Sequence, residues 1–101
     1  EQQFIFYSLA PVTVPPELKQ AMVEFVTRAN YGLPVGNFEI NWDSGEVRYK
    51  TSIDVEDVEL SAELVRHVVE ANVSTMDFYL PGIQAVINGD SAADAIASVE
   101  G

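Results

Sequence analysis

Residues 37–53, NFEINWDSGEVRYKTSI, decide the fold because they predict a β-hairpin. Apolar and polar side chains alternate on both sides of Asp43-Ser44-Gly45-Glu46, which is typical of two strands with one buried face and a tight turn. We expect a two-residue loop at Ser44-Gly45. That register pairs Trp42 with Val47, Ile40 with Tyr49 and Phe38 with Thr51 on the buried face, and Glu39 with Lys50 and Asn41 with Arg48 on the wet face.

The residues before the hairpin predict a strand and an amphipathic helix. Residues 2–14 are rich in strand-forming side chains, although Pro11 weakens the second half because it has no N–H to donate. Pro15-Pro16-Glu17 is typical of a helix start, and Gly32 with Pro34 should end the helix. The apolar residues that recur at helical spacing should face the core: Leu18, Met22, Phe25, Val26 and Ala29.

The residues after the hairpin predict two more helices. Ser61 is a good N-cap for a long helix from Ala62 to about Asn88, which Pro81 should kink or split. Ser91 and Asp94 then form a capping box that opens a short last helix. We therefore expect a single α+β domain over residues 1–101, with an antiparallel sheet packed against helices in the order β-α-β-β-α-α.

Composition excludes several classes of function. Sixteen acidic and five basic residues give a net charge of −11, which disfavours binding to nucleic acid or to an anionic membrane. The chain has no cysteine, and no apolar run approaches the length of a membrane span, so we expect a cytoplasmic protein. Because the chain starts at Glu1 inside a strand-like run, we also expect residues to precede it.

The sequence shows no combination of residues typical of catalysis, metal binding or cofactor binding. His67 is the only histidine, and it falls on the predicted polar face of the long helix beside Glu63 and Glu70. The acidic connector of Asp54, Glu56, Asp57 and Glu59 lacks the spacing and the glycine of a calcium loop. The glycines do not match a phosphate-binding or dinucleotide-binding motif.

A second, largely apolar stripe runs along the long helix beside its core face. The stripe consists of Ala71, Ser74, Thr75, Phe78, Gly82 and Ala85. A helix that is apolar over most of its circumference is usually covered on most sides. Either other parts of the monomer cover the stripe, or it binds a second subunit or another protein.

Two segments resemble a known family. Residues 28–39, RANYGLPVGNFE, followed by residues 45–52, GEVRYKTS, are similar to the core of the YbjN family of bacterial proteins, which are often labelled sensory transduction regulators. Glu70-Ala71-Asn72 and Tyr79-Leu80-Pro81 fall where that family has a similar helix. The resemblance implies a fold like that of type III secretion chaperones. Members usually begin with a further helix and two strands, which this chain lacks.

Together these observations predict a non-enzymatic protein-binding module, chaperone-like or regulatory, that binds another protein or forms a homodimer. The alternative is a small-molecule sensor with its ligand between sheet and helices near Trp42 and Tyr49. A third possibility is an enzyme that uses carboxylates such as Glu63 and Glu70. If Glu1 is the true start, the first strand should present an unpaired edge, which favours a sheet-mediated dimer.

Overall fold

A computed structural model describes residues 2–56 and 59–101 of the chain. The elements are strand β1 (Gln3–Thr13), a single 3₁₀ turn (Pro16–Leu18), helix α1 (Lys19–Tyr31), strands β2 (Asn37–Ile40) and β3 (Glu46–Asp54), and helices α2 (Ala62–Ile87) and α3 (Ala92–Glu100). The predicted order β-α-β-β-α-α and the α+β class are therefore confirmed. Asp57 of the acidic connector lies outside the described residues.

The three strands form one antiparallel sheet in the order β1-β3-β2. Side chains of β1 alternate strictly between its two faces: Phe4, Phe6, Ser8 and Ala10 point toward the helices, and Ile5, Tyr7 and Leu9 point away from them. The helices cover only the inner face of the sheet. Consequently, the three large apolar residues on the outer face of β1 remain 40–58% exposed.

The hairpin forms, but its predicted register is wrong by two residues. Phe38 lies opposite Tyr49 and Ile40 opposite Val47, and the loop contains four residues, Trp42 to Gly45, instead of two. The side chain of Asn41 causes this longer loop: its Oδ1 accepts hydrogen bonds from the backbone N–H groups of Asp43 and Ser44, both at 3.0 Å.

Gly45 closes the loop in a conformation that favours glycine. Its φ is 79°, and a Cβ at this position would lie 2.4 Å from the carbonyl oxygen of Val14. The backbone of Val14 also donates a hydrogen bond to Gly45 O at 2.9 Å. The hairpin tip is thus fixed against the end of the segment that follows β1.

The core lies between the sheet and the helices. The predicted core face of α1 is confirmed, because Met22, Phe25, Val26 and Ala29 are all buried. Tyr79 of α2 packs edge-on against Phe38, with ring centroids 5.4 Å apart, and against Phe25 at 6.4 Å. Aromatic rings from α1, α2 and β2 therefore meet at one point in the core.

Helix α2 runs unbroken from Ala62 to Ile87, so of the two outcomes predicted at Pro81, a kink or a split, the split does not occur. A proline removes one hydrogen bond within a helix. Here Tyr79, Gly82, Ile83 and Val86 are buried on either side of it, and their packing holds both halves on the same core. The predicted N-cap is confirmed, since Ser61 Oγ accepts a hydrogen bond from the backbone of Leu64 at 3.1 Å.

Candidate interaction surfaces

A buried polar cluster attaches α2 to the sheet. Asn72 is completely buried, and its Nδ2 lies 3.0 Å from the carbonyl oxygens of Phe6 and Tyr49 and 3.1 Å from Thr51 Oγ1. Ser8 Oγ donates to Asn72 Oδ1. One side chain thus joins both β1 and β3 to the helix, which fixes the rotation of α2 about its axis.

Sequence reasoning missed this cluster. Asn72 lies four residues after Val68 and four before Met76, both of which are buried, so helical spacing already placed an amide among core residues. A buried amide requires partners, because an unpaired one costs about 1–3 kcal/mol. An asparagine at a core position of a predicted helix is therefore the sequence feature that could have revealed the cluster.

The segment between α1 and β2 lies beside the middle of α2. Tyr49 is buried, and its hydroxyl donates to the carbonyl oxygen of Val35 and also interacts with Thr75 of α2. Burial raises the pKa of the Tyr49 phenol, an effect that the interaction with Thr75 partly opposes. Val35 itself is exposed, and its backbone carbonyl lies at the Tyr49 hydroxyl.

Other parts of the fold cover only some residues of the predicted stripe on α2. Gly82 is buried: a Cβ there would lie 2.7 Å from the ring of Phe25, which means that α1 packs directly on the helix backbone. Ala85 and Thr75 are partly buried. Ala71, Ser74 and Phe78 remain exposed.

We call this exposed part, together with Val35, the α2 patch: Ala71, Ser74, Phe78 and Val35. Phe78 dominates it, because 55% of its surface is exposed although its ring packs edge-on against that of Tyr79, at 5.0 Å between centroids. The acidic residues Glu70 and Asp77 are exposed on the same helix. The α2 patch is therefore an apolar surface with negative charge nearby.

The two edges of the sheet differ. At the β2 edge, the carboxamide of Asn30 accepts from Phe38 N at 2.6 Å and donates to Phe38 O at 3.0 Å. The side chain at the end of α1 thus makes the two hydrogen bonds that a neighbouring strand would make. Among the described residues, the sheet order leaves β1 as the other edge, with no strand paired to its outer side.

The charged side chains of the hairpin neutralise one another. Glu39 pairs with Arg48 at 2.7 Å and with Lys50 at 3.3 Å. Burial acts to raise the pKa of Glu39, but hydrogen bonds and charges from both cations outweigh that effect and lower it overall. These residues border an open groove of about 450 Å³ that is lined by Glu39, Ile40, Asn41, Glu46 and Arg48.

The structure does not bring together the residues predicted for a small-molecule site. Tyr49 is buried against Phe38, whereas Trp42 stands in the exposed hairpin loop with Lys19 Nζ 5.8 Å from its ring centre. His67 is exposed, as predicted from the helix pattern. Within residues 2–56 and 59–101, no group of three His, Cys, Asp or Glu side chains could hold a metal ion.

Comparison with known proteins assigns the chain to a family. In the described part of the chain, no helix combines the length and the apolar character needed to cross a membrane. No curated protein and no solved structure gives a significant match. A family model does match residues 1–85, and its description is YbjN, putative bacterial sensory transduction regulator. Because the match spans most of the chain and agrees with the segments around Asn30 and Asn72, the chain belongs to the YbjN family.

Proposed function

We propose that this chain is a non-enzymatic regulatory protein that acts by binding another protein through the α2 patch. Its family suggests a regulatory or sensory-transduction-related role. The observation that carries the proposal is the exposure of Phe78 beside Gly82, which is buried, and Thr75 and Ala85, which are partly buried. Exposed apolar patches on small proteins commonly mark sites of protein association.

The position of the patch supports a binding role. Thr75 Oγ1 donates to Ala71 O at 2.8 Å, so this polar group of the stripe is satisfied within the helix and needs no partner. Asn72, on the other side of the same turn, fixes the helix to the sheet. The surface around Phe78 is consequently preorganised, which lowers the entropy cost of binding.

The charge of the chain indicates what kind of partner fits. The net charge is −11, and Glu70 and Asp77 are exposed near the patch. A partner should therefore present an apolar side chain that contacts Phe78, surrounded by basic residues. Such a complex gains electrostatic attraction at its rim, and its affinity should fall as salt concentration rises.

Site-specific photo-crosslinking tests the proposal in a bacterium that carries the protein. Replacing Phe78 with a photoreactive phenylalanine analogue should give one dominant crosslinked protein, and the additional substitution Val35→Asp should abolish that product. Gln84 is the matched control position, because it is exposed on the same helix but outside the α2 patch.

Three results would refute the proposal. They are equal crosslinking from positions 78 and 84, no crosslink from position 78, or a crosslink from position 78 only to a second copy of the chain. Circular dichroism and thermal unfolding of each variant establish that the fold is retained, because substitutions at exposed sites usually change stability by less than about 0.5 kcal/mol.

A further inference from the structure

Helix α3 lies against one end of the predicted stripe on α2. A Cβ at Gly82 would lie 3.2 Å from the backbone carbonyl oxygen of Ala95, so the two helices meet almost backbone to backbone. Phe78, the centre of the α2 patch, is four residues before Gly82 and therefore about one helical turn away on the same side of α2. The surface that α3 occupies thus continues directly into the α2 patch.

Few interactions hold α3 in this position. Its buried side chains are two alanines, and its larger apolar residues, Ile96 and Val99, are only partly buried. Alanine buries little apolar area, and the stabilisation from burial scales with that area. Within the part of the chain that the structure describes, one side-chain hydrogen bond joins α3 to another element, from the Tyr79 hydroxyl to the carboxylate of Glu100 at 2.6 Å. Glu100 lies at the C-terminal end of α3, where the helix dipole disfavours a carboxylate, so this bond offsets an unfavourable position.

The helix should leave this position as a unit. It has nine residues, and isolated helices shorter than about 12–15 residues are only marginally stable in water. Losing the contact with α2 should therefore also unfold α3. Gly89 lies in the connection between the two helices, with a φ of 102°, and a Cβ there would meet no atom within 4 Å. The connection can consequently change its direction at Gly89 without a steric clash.

The charges around α3 favour a basic replacement. Residues 67–101 contain no lysine or arginine but five acidic residues, which are Glu70, Asp77, Asp90, Asp94 and Glu100. Asp94 and Glu100 belong to α3 itself, so this helix docks on a surface that carries charge of the same sign. A helix of another protein with lysine or arginine in place of these two acids would be attracted where α3 is repelled.

The match to the family model ends before α3. It covers residues 1–85, whereas α3 spans Ala92–Glu100. The stripe on α2 thus lies within the part of the chain that the family model describes, and the helix against its end lies outside that part. This arrangement is the one expected of an element that regulates access to a shared surface.

We propose that α3 is a displaceable cover and that the partner of this protein competes with it for the stripe on α2. The inference rests on the function proposed above and adds how that function is regulated. While α3 is docked, a partner reaches only the α2 patch around Phe78. When α3 opens at Gly89, the surface at Gly82 joins the patch, and binding there shifts the equilibrium toward the open form. The segment that replaces α3 is a helix with alanine-sized side chains toward Gly82 and basic residues at its rim.

Thiol labelling measures the opening of α3 in the intact protein, because the chain has no cysteine of its own. Ala95→Cys places a thiol on the buried face of α3, and Ala29→Cys is the matched control, since both alanines are completely buried. The thiol at position 95 should react with a neutral maleimide at least about tenfold faster than the thiol at position 29, which becomes accessible only when the core unfolds. Glu100→Ala should speed labelling at position 95 by about a further fivefold, because it removes the hydrogen bond to Tyr79. Added salt should slow labelling there, because it screens the repulsion that favours opening.

The photo-crosslinking experiment described above measures the competition. Ala97→Pro should unfold α3, because it places proline at an exposed position inside the helix. Ala93→Pro is the matched control, since Ala93 is also exposed but lies in the first turn, where proline is tolerated. The yield of crosslinked partner from position 78 should rise at least about threefold in Ala97→Pro and stay at the wild-type level in Ala93→Pro.

Hydrogen exchange checks the opening without any substitution. The amides in the second half of α3 should exchange at least about tenfold faster than those around Ile83 in α2. Equal labelling at positions 95 and 29, or α3 amides that exchange only together with those of α2, would overturn the proposal even if a partner is found. Equal crosslinking in the two proline variants would overturn it while leaving the proposed function intact. The absence of a crosslink from position 78 in the wild type and in both proline variants would refute the proposed function itself, and the competition with it.

Discussion

Replacing Asn72 provides the sharpest test of how α2 is held on the sheet. Asn72→Ala removes the hydrogen bonds from Nδ2 to Phe6 O, Tyr49 O and Thr51 Oγ1, and it leaves the Ser8 hydroxyl without its acceptor. Nδ2 has two hydrogens to share among its three acceptors, so with the Ser8 hydroxyl three net hydrogen bonds are lost. At about 1 kcal/mol each, the free energy of unfolding should fall by about 3 kcal/mol. A domain of this size has only about 5–15 kcal/mol in total, so the loss is a large fraction of its stability.

Asn72→Asp tests the loss of the hydrogen-bond donor Nδ2 without a change in the volume of the side chain. The substitution keeps the shape of the side chain but replaces Nδ2 with an oxygen that faces two carbonyl oxygens. The ionised form should therefore lose at least as much stability at neutral pH as the alanine variant does.

Burial should also raise the pKa of the new carboxyl above its value in the unfolded chain. Between those two pKa values the folded state binds more protons than the unfolded state, so its stability rises as pH falls. Relative to wild type, Asn72→Asp should consequently recover stability between pH 7 and pH 5, whereas Asn72→Ala should not.

Urea unfolding followed by circular dichroism, at several pH values, measures these differences. Asn41→Asp is the matched control, because Asn41 uses only its oxygen, as an acceptor in an exposed turn, and aspartate can replace it there. That variant should stay within about 0.5 kcal/mol of wild type. A loss below about 1 kcal/mol for Asn72→Ala, or the same pH profile for both Asn72 variants, would refute the reasoning.

Three further substitutions have defined outcomes. Burial and the adjacent carboxylate of Glu100 raise the pKa of Tyr79 to about 12. As the pH rises from 10 to 12, the wild type should therefore lose up to about 3 kcal/mol more stability than Tyr79→Phe does. Parallel alkaline unfolding curves for the two proteins would contradict this. Gly36→Ala should lower the free energy of unfolding in urea by about 3 kcal/mol, since φ is 74° and the new Cβ would lie 2.5 Å from a backbone oxygen. At the control position, Gly32→Ala, the new Cβ has open space, so stability should be unchanged or slightly higher. Equal effects at the two glycines would exclude this explanation. Asn30→Ala should lower the free energy of unfolding by about 2 kcal/mol and speed hydrogen exchange in β2, and unchanged exchange there would show that the carboxamide does not protect that edge.

Periodicity in the sequence predicted the elements and their faces but not the hairpin register. The alternation around Phe38 and Tyr49 has a period of two residues, and a shift of two leaves every side chain on the same face. The pattern therefore cannot distinguish Phe38 opposite Thr51 from Phe38 opposite Tyr49. The register is set by hydrogen bonds within the turn, where the side-chain oxygen of Asn41 accepts from two successive backbone N–H groups.

The surfaces were predicted only in part for a related reason. Helical spacing identified the stripe on α2, but it could not show that Phe25 covers Gly82 while Phe78 remains exposed, because that depends on where α1 crosses. Asn72 and Ser8 are 64 residues apart in the chain, so their contact has no local signature. The partner-binding role of the stripe stays a prediction, as does the likeness to type III secretion chaperones.

The contact between Asn30 and Phe38 also has a consequence for folding. Only eight positions separate the two residues, so the loop that joins them closes in about 10–100 ns, far faster than the sheet can assemble. The end of α1 and the start of β2 therefore form a local unit that can appear before β1 finds its place beside β3. Neither the end of α1 nor the start of β2 should fray alone in the native state, because opening the helix terminus breaks both hydrogen bonds to the strand. The two segments should therefore exchange their amide hydrogens as one cooperative foldon.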